Sequence, residues 1–207
     1  MKGYFFLGLE FSFVLFSLWI HDRFRVWMAG RLGDPQAAGR QRSSENPFAR
    51  VDWIGSVLLP AFLLWRHLPV LGWTRPLDVD ADKLRRPRRD LLLIALVGPA
   101  ANLLLALLGI GLVRGLAAAG LMSSPLLLRF LPSFCLTNAC LAVFGLLPIP
   151  PLSGAAAIEP FLGDDALTAF EEIKPYSFLL LLAGAYLNFF DFITQPLGRL
   201  VGSLIGF

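Results

Sequence analysis

Histidine is nearly absent from this chain. Its 207 residues include two, His21 and His67, with no motif spacing between them, so a zinc motif of two closely spaced histidines is excluded. Charge is scarce as well. Only 16% of residues are charged against 56% hydrophobic, and the mean hydropathy is +0.66. An ordinary soluble domain is thereby excluded, and an all-α polytopic membrane protein is indicated. The two cysteines, Cys135 and Cys140, lie five apart in one apolar stretch and face different sides of a helix, so they read as two buried thiols. Neither a heptad pattern nor a longer repeat is present, and no stretch reads as an independent soluble domain.

What charge there is has a pattern. Residues 21–52 carry six Arg against four acids, and residues 66–90 carry six Arg and one Lys against four acids. The connection at 117–126 has none. Basic residues near span ends stay in the cytoplasm, so the loops at 29–52 and 74–90 should be cytoplasmic and the uncharged one outside. The basic run 83–89, "KLRRPRR", comes without aromatic interleaving or a folded module, which argues against nucleic acid and leaves attraction to anionic membrane lipids.

Apolar length then places spans at about 3–28, 91–113, 125–147 and 176–192. The start resembles a signal peptide but has no small-residue cleavage site, and it reads as a retained first span. Residues 53–73 are apolar enough to cross but are broken by Pro60, Arg66, His67 and Pro69. A crossing there would put the two basic loops on opposite sides, so a re-entrant segment is expected. The polar interlude "GWTRPLDVDADKLRRP" suggests a small extended or hairpin element on the cytoplasmic face. The tail at 196–207 is too short to span and should lie at the interface or re-enter.

Polar groups within spans need a partner or a cavity. At 100° per residue, Glu10, Ser17 and His21 fall within about 20° of one helix face, an inward stripe that either lines a polar cavity or leaves Glu10 protonated or bonded to a neighbouring helix, where it fixes packing. Asn102, after "GPAAN", and Thr137 with Asn138 read as hydrogen-bonding groups between close-packed helices. Asn188 and Asp191 read as interface markers. The third span ends in "LLPIPPLSG", where Pro148, Pro150 and Pro151 force the chain out of helical geometry at membrane depth. Irregular backbone survives there only against protein or a wet cavity. The candidate cleft-lining residues are Glu10, Ser17, Asn102, Asn138, Pro148 and Pro150.

Five segments occur in order: "GRLGDPQAAGR" at 30–40, "ENPFARVDWIGSVLLP" at 45–60, "LGWTRPLDV" at 71–79, "RRPRRDLLLIALVGPAANLLLA" at 85–106 and "LAVFGLLPIPPLSG" at 141–154. Together they resemble the site-2 protease family of intramembrane zinc metalloproteases in its short bacterial form. The resemblance implies a helical core in the bacterial cytoplasmic (inner) membrane, with two motif segments brought together near the cytoplasmic side. In that family His-Glu-x-x-His supplies two zinc ligands and a general base, and an Asp of the Pro-rich segment supplies the third ligand.

Laid on that pattern, "HDRFR" leaves His21 at the first His, Asp22 at the Glu and Arg25 at the second His. Ser153 stands at the ligand Asp, and Gly145 at the motif Asn. A guanidinium has no lone pair to give a metal. The expectation is a degenerate member with no zinc and no intact catalytic set, a pseudoprotease that binds other membrane-protein subunits or transmembrane segments. Arg25 should pair with Asp22 or hydrogen-bond to the Pro-rich backbone and Ser153. The alternatives are an active protease with an unorthodox site and a transporter; no second buried carboxylate or inverted repeat supports the latter.

Overall fold

The computed structural model describes residues 2–37, 52–66, 70 and 72–206. Among these, helix is the only regular structure, and no strand forms. Three long helices make the core: α1 (Lys2–Leu32), α3 (Pro87–Ala118) and α4 (Pro125–Gly145). Between α1 and α3 lies α2, Trp53–Trp65, and four shorter helices follow α4: α5 (Ser153–Ile158), α6 (Asp164–Ile173), α7 (Ser177–Tyr186) and α8 (Asp191–Ile205). Helix α3 is central and packs on α1, α4, α5 and α8. Both α3 and α4 are long and apolar enough to cross a membrane. Helix α1 has 31 residues, a reach of about 46 Å.

Local chemistry sets the helix ends. Pro87 and Pro125 sit in first turns, where a missing N–H costs nothing. The Asp90 carboxylate accepts the Arg86 N–H at 2.9 Å and so caps α3. Helix α4 stops at Gly145 because Pro148, Pro150 and Pro151 follow within two turns. Pro99 and Pro132 lie inside α3 and α4, where each leaves the carbonyl four residues earlier without its helical N–H partner. Cys135 and Cys140 are both buried free thiols in α4, as their spacing predicts.

Helix α2 opens with six π-helical residues and continues as seven α-helical ones, too short to cross on its own. The chain then comes back to its start. The Trp73 N–H donates to the Gly55 carbonyl at 3.2 Å, and Ser56 Oγ donates to the Trp73 carbonyl at 2.7 Å. Asp52 accepts from the Ile54 and Gly55 N–H groups, both at 3.0 Å, and from Trp73 Nε1 at 3.2 Å. His67 lies outside the described residues. The interlude at 72–80 runs without helix or strand pairing, so of the two expected forms, extended or hairpin, no paired hairpin forms; the Trp73 carbonyl and the Asp80 N–H bond to Ser56 and Asp34 of neighbouring segments.

The Gly-Asp-Pro segment has a structural role. Asp34, 1% exposed, accepts the Asp80 N–H at 2.9 Å and so holds the 3₁₀ turn Ala81–Lys83 against the end of α1. Gly33 adopts φ +130°, and a Cβ there would lie 2.4 Å from the Lys83 carbonyl oxygen. Only glycine fits.

The C-terminal part differs from the expectation. The apolar run at 176–192 is interrupted at Asn188, which takes φ +55°, and Asp191 starts a new helix. The pieces Asp164–Tyr186 and Asp191–Ile205 meet at 63°. The tail is therefore mostly helical, with Val201 and Ile205 buried beside Ala106, Val113 and Cys135. Apolar length alone could not register a break made by one left-handed residue. Gly33→Ala is expected to destabilise the fold by about 1–3 kcal/mol, from strain at a positive φ. Gly111→Ala, with nothing within 4 Å of its Cβ position, should not. Thermal unfolding midpoints in mild detergent would compare the two.

Candidate functional site

The degenerate motif lies on the buried face of α1. His21, Asp22 and Arg25 are 7%, 5% and 7% exposed. His21 and Arg25 are four apart and so point the same way, toward α3 and the start of α5. Two residues of α3, one turn apart, receive the imidazole. Gly98 gives it room, since a Cβ there would sit 2.4 Å from His21 Nε2. The Asn102 amide lies 3.2 Å from His21 Nδ1. On the other side of the ring Ser153 Oγ, from the first residue of α5, lies 3.2 Å from Nε2. Ser153 is 6% and Asn102 1% exposed. Hence one imidazole joins three helices. Ser153 meets His21 here.

Beside this array is a space of about 10 Å³, roughly one water. It is lined by His21, Arg25, Thr74, Asn102 and Ser153 among others. Thr74 Oγ1 and Asn102 Oδ1 are buried there with no hydrogen-bond partner among the described residues. A larger cavity of about 380 Å³ adjoins it and shares Arg25, Trp73, Pro151 and Leu152 with the first. Its wall is mainly apolar, with Ile54, Phe170 and Phe178, and it also takes in Asp52, Glu159 and Lys174.

The expected cleft residues are only partly brought together. Asn102 lines the small space and Pro150 the large one. Glu10 does neither: its carboxylate meets Arg129 of α4 at 3.7 Å, and that guanidinium lies 4.5 Å from the Phe6 ring. The helical wheel put Glu10 on the correct face but ignored height, about 16 Å along the axis from His21. Ser17 is fully buried yet lines neither cavity. Asn138, also fully buried, bonds its own helix at the Phe134 carbonyl, 3.0 Å away. Pro148 turns the chain without lining either space. Gly72 and Thr74 were not singled out, although "LGWTRP" marked their segment; the contacts of Phe170 and Phe178 had no sequence signal, because α6 and α7 reach the cavity only through the tertiary fold.

The donor set is poor for zinc. Catalytic zinc takes three protein ligands at about 2.0–2.3 Å. Here one imidazole faces a neutral hydroxyl, and the next position on the helix face carries a fixed cation that repels a divalent ion. Among the described residues no group of three or more His, Cys, Asp or Glu comes together.

Two curated proteins are similar along most of the chain. The putative zinc metalloprotease YwhC of Bacillus subtilis is 28% identical over 173 residues, covering 82% of this chain and 76% of that protein. The putative zinc metalloprotease Rip2 of Mycolicibacterium smegmatis is 32% identical over 171 residues, 81% of this chain. Both similarities support the relationship to the site-2 protease family that the motif segments suggest. The chain covers 62% of the length of Rip2, under two thirds. No protein-family model matches, and no solved structure does. As a site-2 protease relative it is an all-α membrane protein. In this relative Gly98 and His21 should be energetically coupled. Gly98→Ala is expected to cost about 1–3 kcal/mol by overpacking. Adding His21→Ala should recover at least about 0.5 kcal/mol of coupling in a double-mutant cycle of unfolding; additive effects would show that the contact is loose.

Proposed function

We propose that this site-2 protease relative is a pseudoprotease. It is inactive in zinc-dependent peptide hydrolysis and serves as a structural or regulatory subunit that binds other membrane polypeptides. The observation that carries this reading is the pairing of His21 with Ser153, with Arg25 one turn further along α1. Two of the three positions that the family pattern assigns to zinc ligands thus hold a hydroxyl and a guanidinium. The apolar cavity of about 380 Å³ supports a binding role, since it offers a mostly apolar wall to a neighbouring segment.

In this reading α1, α3 and α4 cross the bacterial cytoplasmic membrane, with the basic loops 29–52 and 74–90 on the cytoplasmic side. The names of the two relatives favour a second reading, an active zinc protease with an unorthodox site. Metal analysis separates them. The wild-type protein, purified in gentle detergent, is expected to carry well under one zinc per chain, and Arg25→His with Ser153→Asp should raise that content. Stoichiometric zinc in the wild type would end the pseudoprotease reading. The subunit role requires companion chains at fixed stoichiometry in the same preparation.

A further inference from the structure

We propose that Ser153, His21 and Asn102 form a metal-free nucleophilic site, which transfers an aliphatic acyl group from a carboxylic ester to Ser153 and then to water. The three side chains stand in the order such chemistry needs. The nucleophile is 3.2 Å from one ring nitrogen, and an orienting amide is 3.2 Å from the other. The Asn102 amide has Nδ2 toward the ring, and its Oδ1 is buried without a partner. Turning that amide over gives Oδ1 the His21 Nδ1–H. It leaves the Nε2 lone pair facing the Ser153 hydroxyl, the tautomer a general base requires.

The surroundings hold this arrangement. Gly98 lets the ring press against α3, and Gly154 allows the turn before Ser153 to close, since a Cβ there would lie 2.1 Å from the Leu146 carbonyl oxygen. Arg25 lines the same small space and places a fixed positive charge near any oxyanion formed at Ser153. The adjoining cavity, walled by Ile54, Trp73, Phe170 and Phe178, suits an apolar acyl chain.

In the first step the Ser153 Oγ–C bond forms and the ester C–O bond breaks. The hydroxyl proton passes through His21 Nε2 to the leaving alkoxide. In the second, water adds to the acyl carbon and gives a proton to His21. The C–Oγ bond then breaks, Ser153 recovers its proton, and the fatty acid leaves. No redox partner or metal enters. This goes beyond the pseudoprotease reading, which concerns zinc and peptide bonds.

The test treats the full chain in detergent with an alkyl fluorophosphonate, with a zinc chelator present, and locates the adduct by mass spectrometry. Phosphonylation of Ser153 is expected, with loss of fluoride. Ser153→Ala should abolish it, and His21→Ala should slow it by about 100-fold or more. Hydrolysis of p-nitrophenyl octanoate should fall in parallel, and the pH profile should shift in Asn102→Ala, a change that a purely structural amide would not cause. An unmodified Ser153 in the wild type at saturating probe overturns the proposal without reference to any variant. Ester hydrolysis that is equal in wild type and a folded Ser153→Ala does the same. Zinc content decides the pseudoprotease reading separately, so the two fail independently.

Discussion

One buried imidazole organises the centre of this protein. His21 has the Asn102 amide on one ring nitrogen and the Ser153 hydroxyl on the other, and its flank presses on Gly98. The three polar partners belong to α1, α3 and α5, which are far apart in sequence. Polar groups in a low-dielectric interior are costly unless bonded, so each partner restricts where the others can sit. The register of α1 against α3 and the absence of a side chain at position 98 go with seating this ring.

The rest of the fold keeps irregular backbone satisfied around that centre. Asp52, Ser56 and Trp73 bond the beginning of α2 to the returning chain, which becomes one wall of both cavities. Asp34 fastens the segment after α1 to the turn that precedes α3. These carboxylates occupy motif-like positions, yet each is used in bonding backbone or indole N–H groups. The family pattern thus survives best where it is architectural and departs where it would bind zinc. At the positions of the family's second His and ligand Asp stand a guanidinium, which has no lone pair, and a neutral hydroxyl, and hydrogen bonds occupy both nitrogens of the imidazole.

Much of the fold was legible in the sequence because hydropathy and proline reflect strong, local costs. Two apolar helices, the exit at Pro148 to Pro151, the buried thiols and the broken segment after residue 53 all follow from unsatisfied backbone and from apolar length. The break at Asn188 did not, since a single left-handed residue leaves the hydropathy of its surroundings unchanged. Glu10 shows a second limit. Angular periodicity put it on one stripe with His21 and left open a bond to a neighbouring helix, while only the packing showed that this bond is to Arg129 of α4.

Sequence alone determined the membrane class, the family resemblance and which residue types stand where the family pattern has zinc ligands, because residue types decide hydropathy and side-chain chemistry. Tertiary structure decided which groups meet. That Ser153 faces His21, that Asn102 faces the other side of the same ring, and that Phe170 and Phe178 close a cavity beside them are facts of helix packing. The two contacts to His21 join positions 81 and 132 residues apart, and their distances depend on how close two helices can approach, a quantity set by small residues such as Gly98 only once both helices are in place.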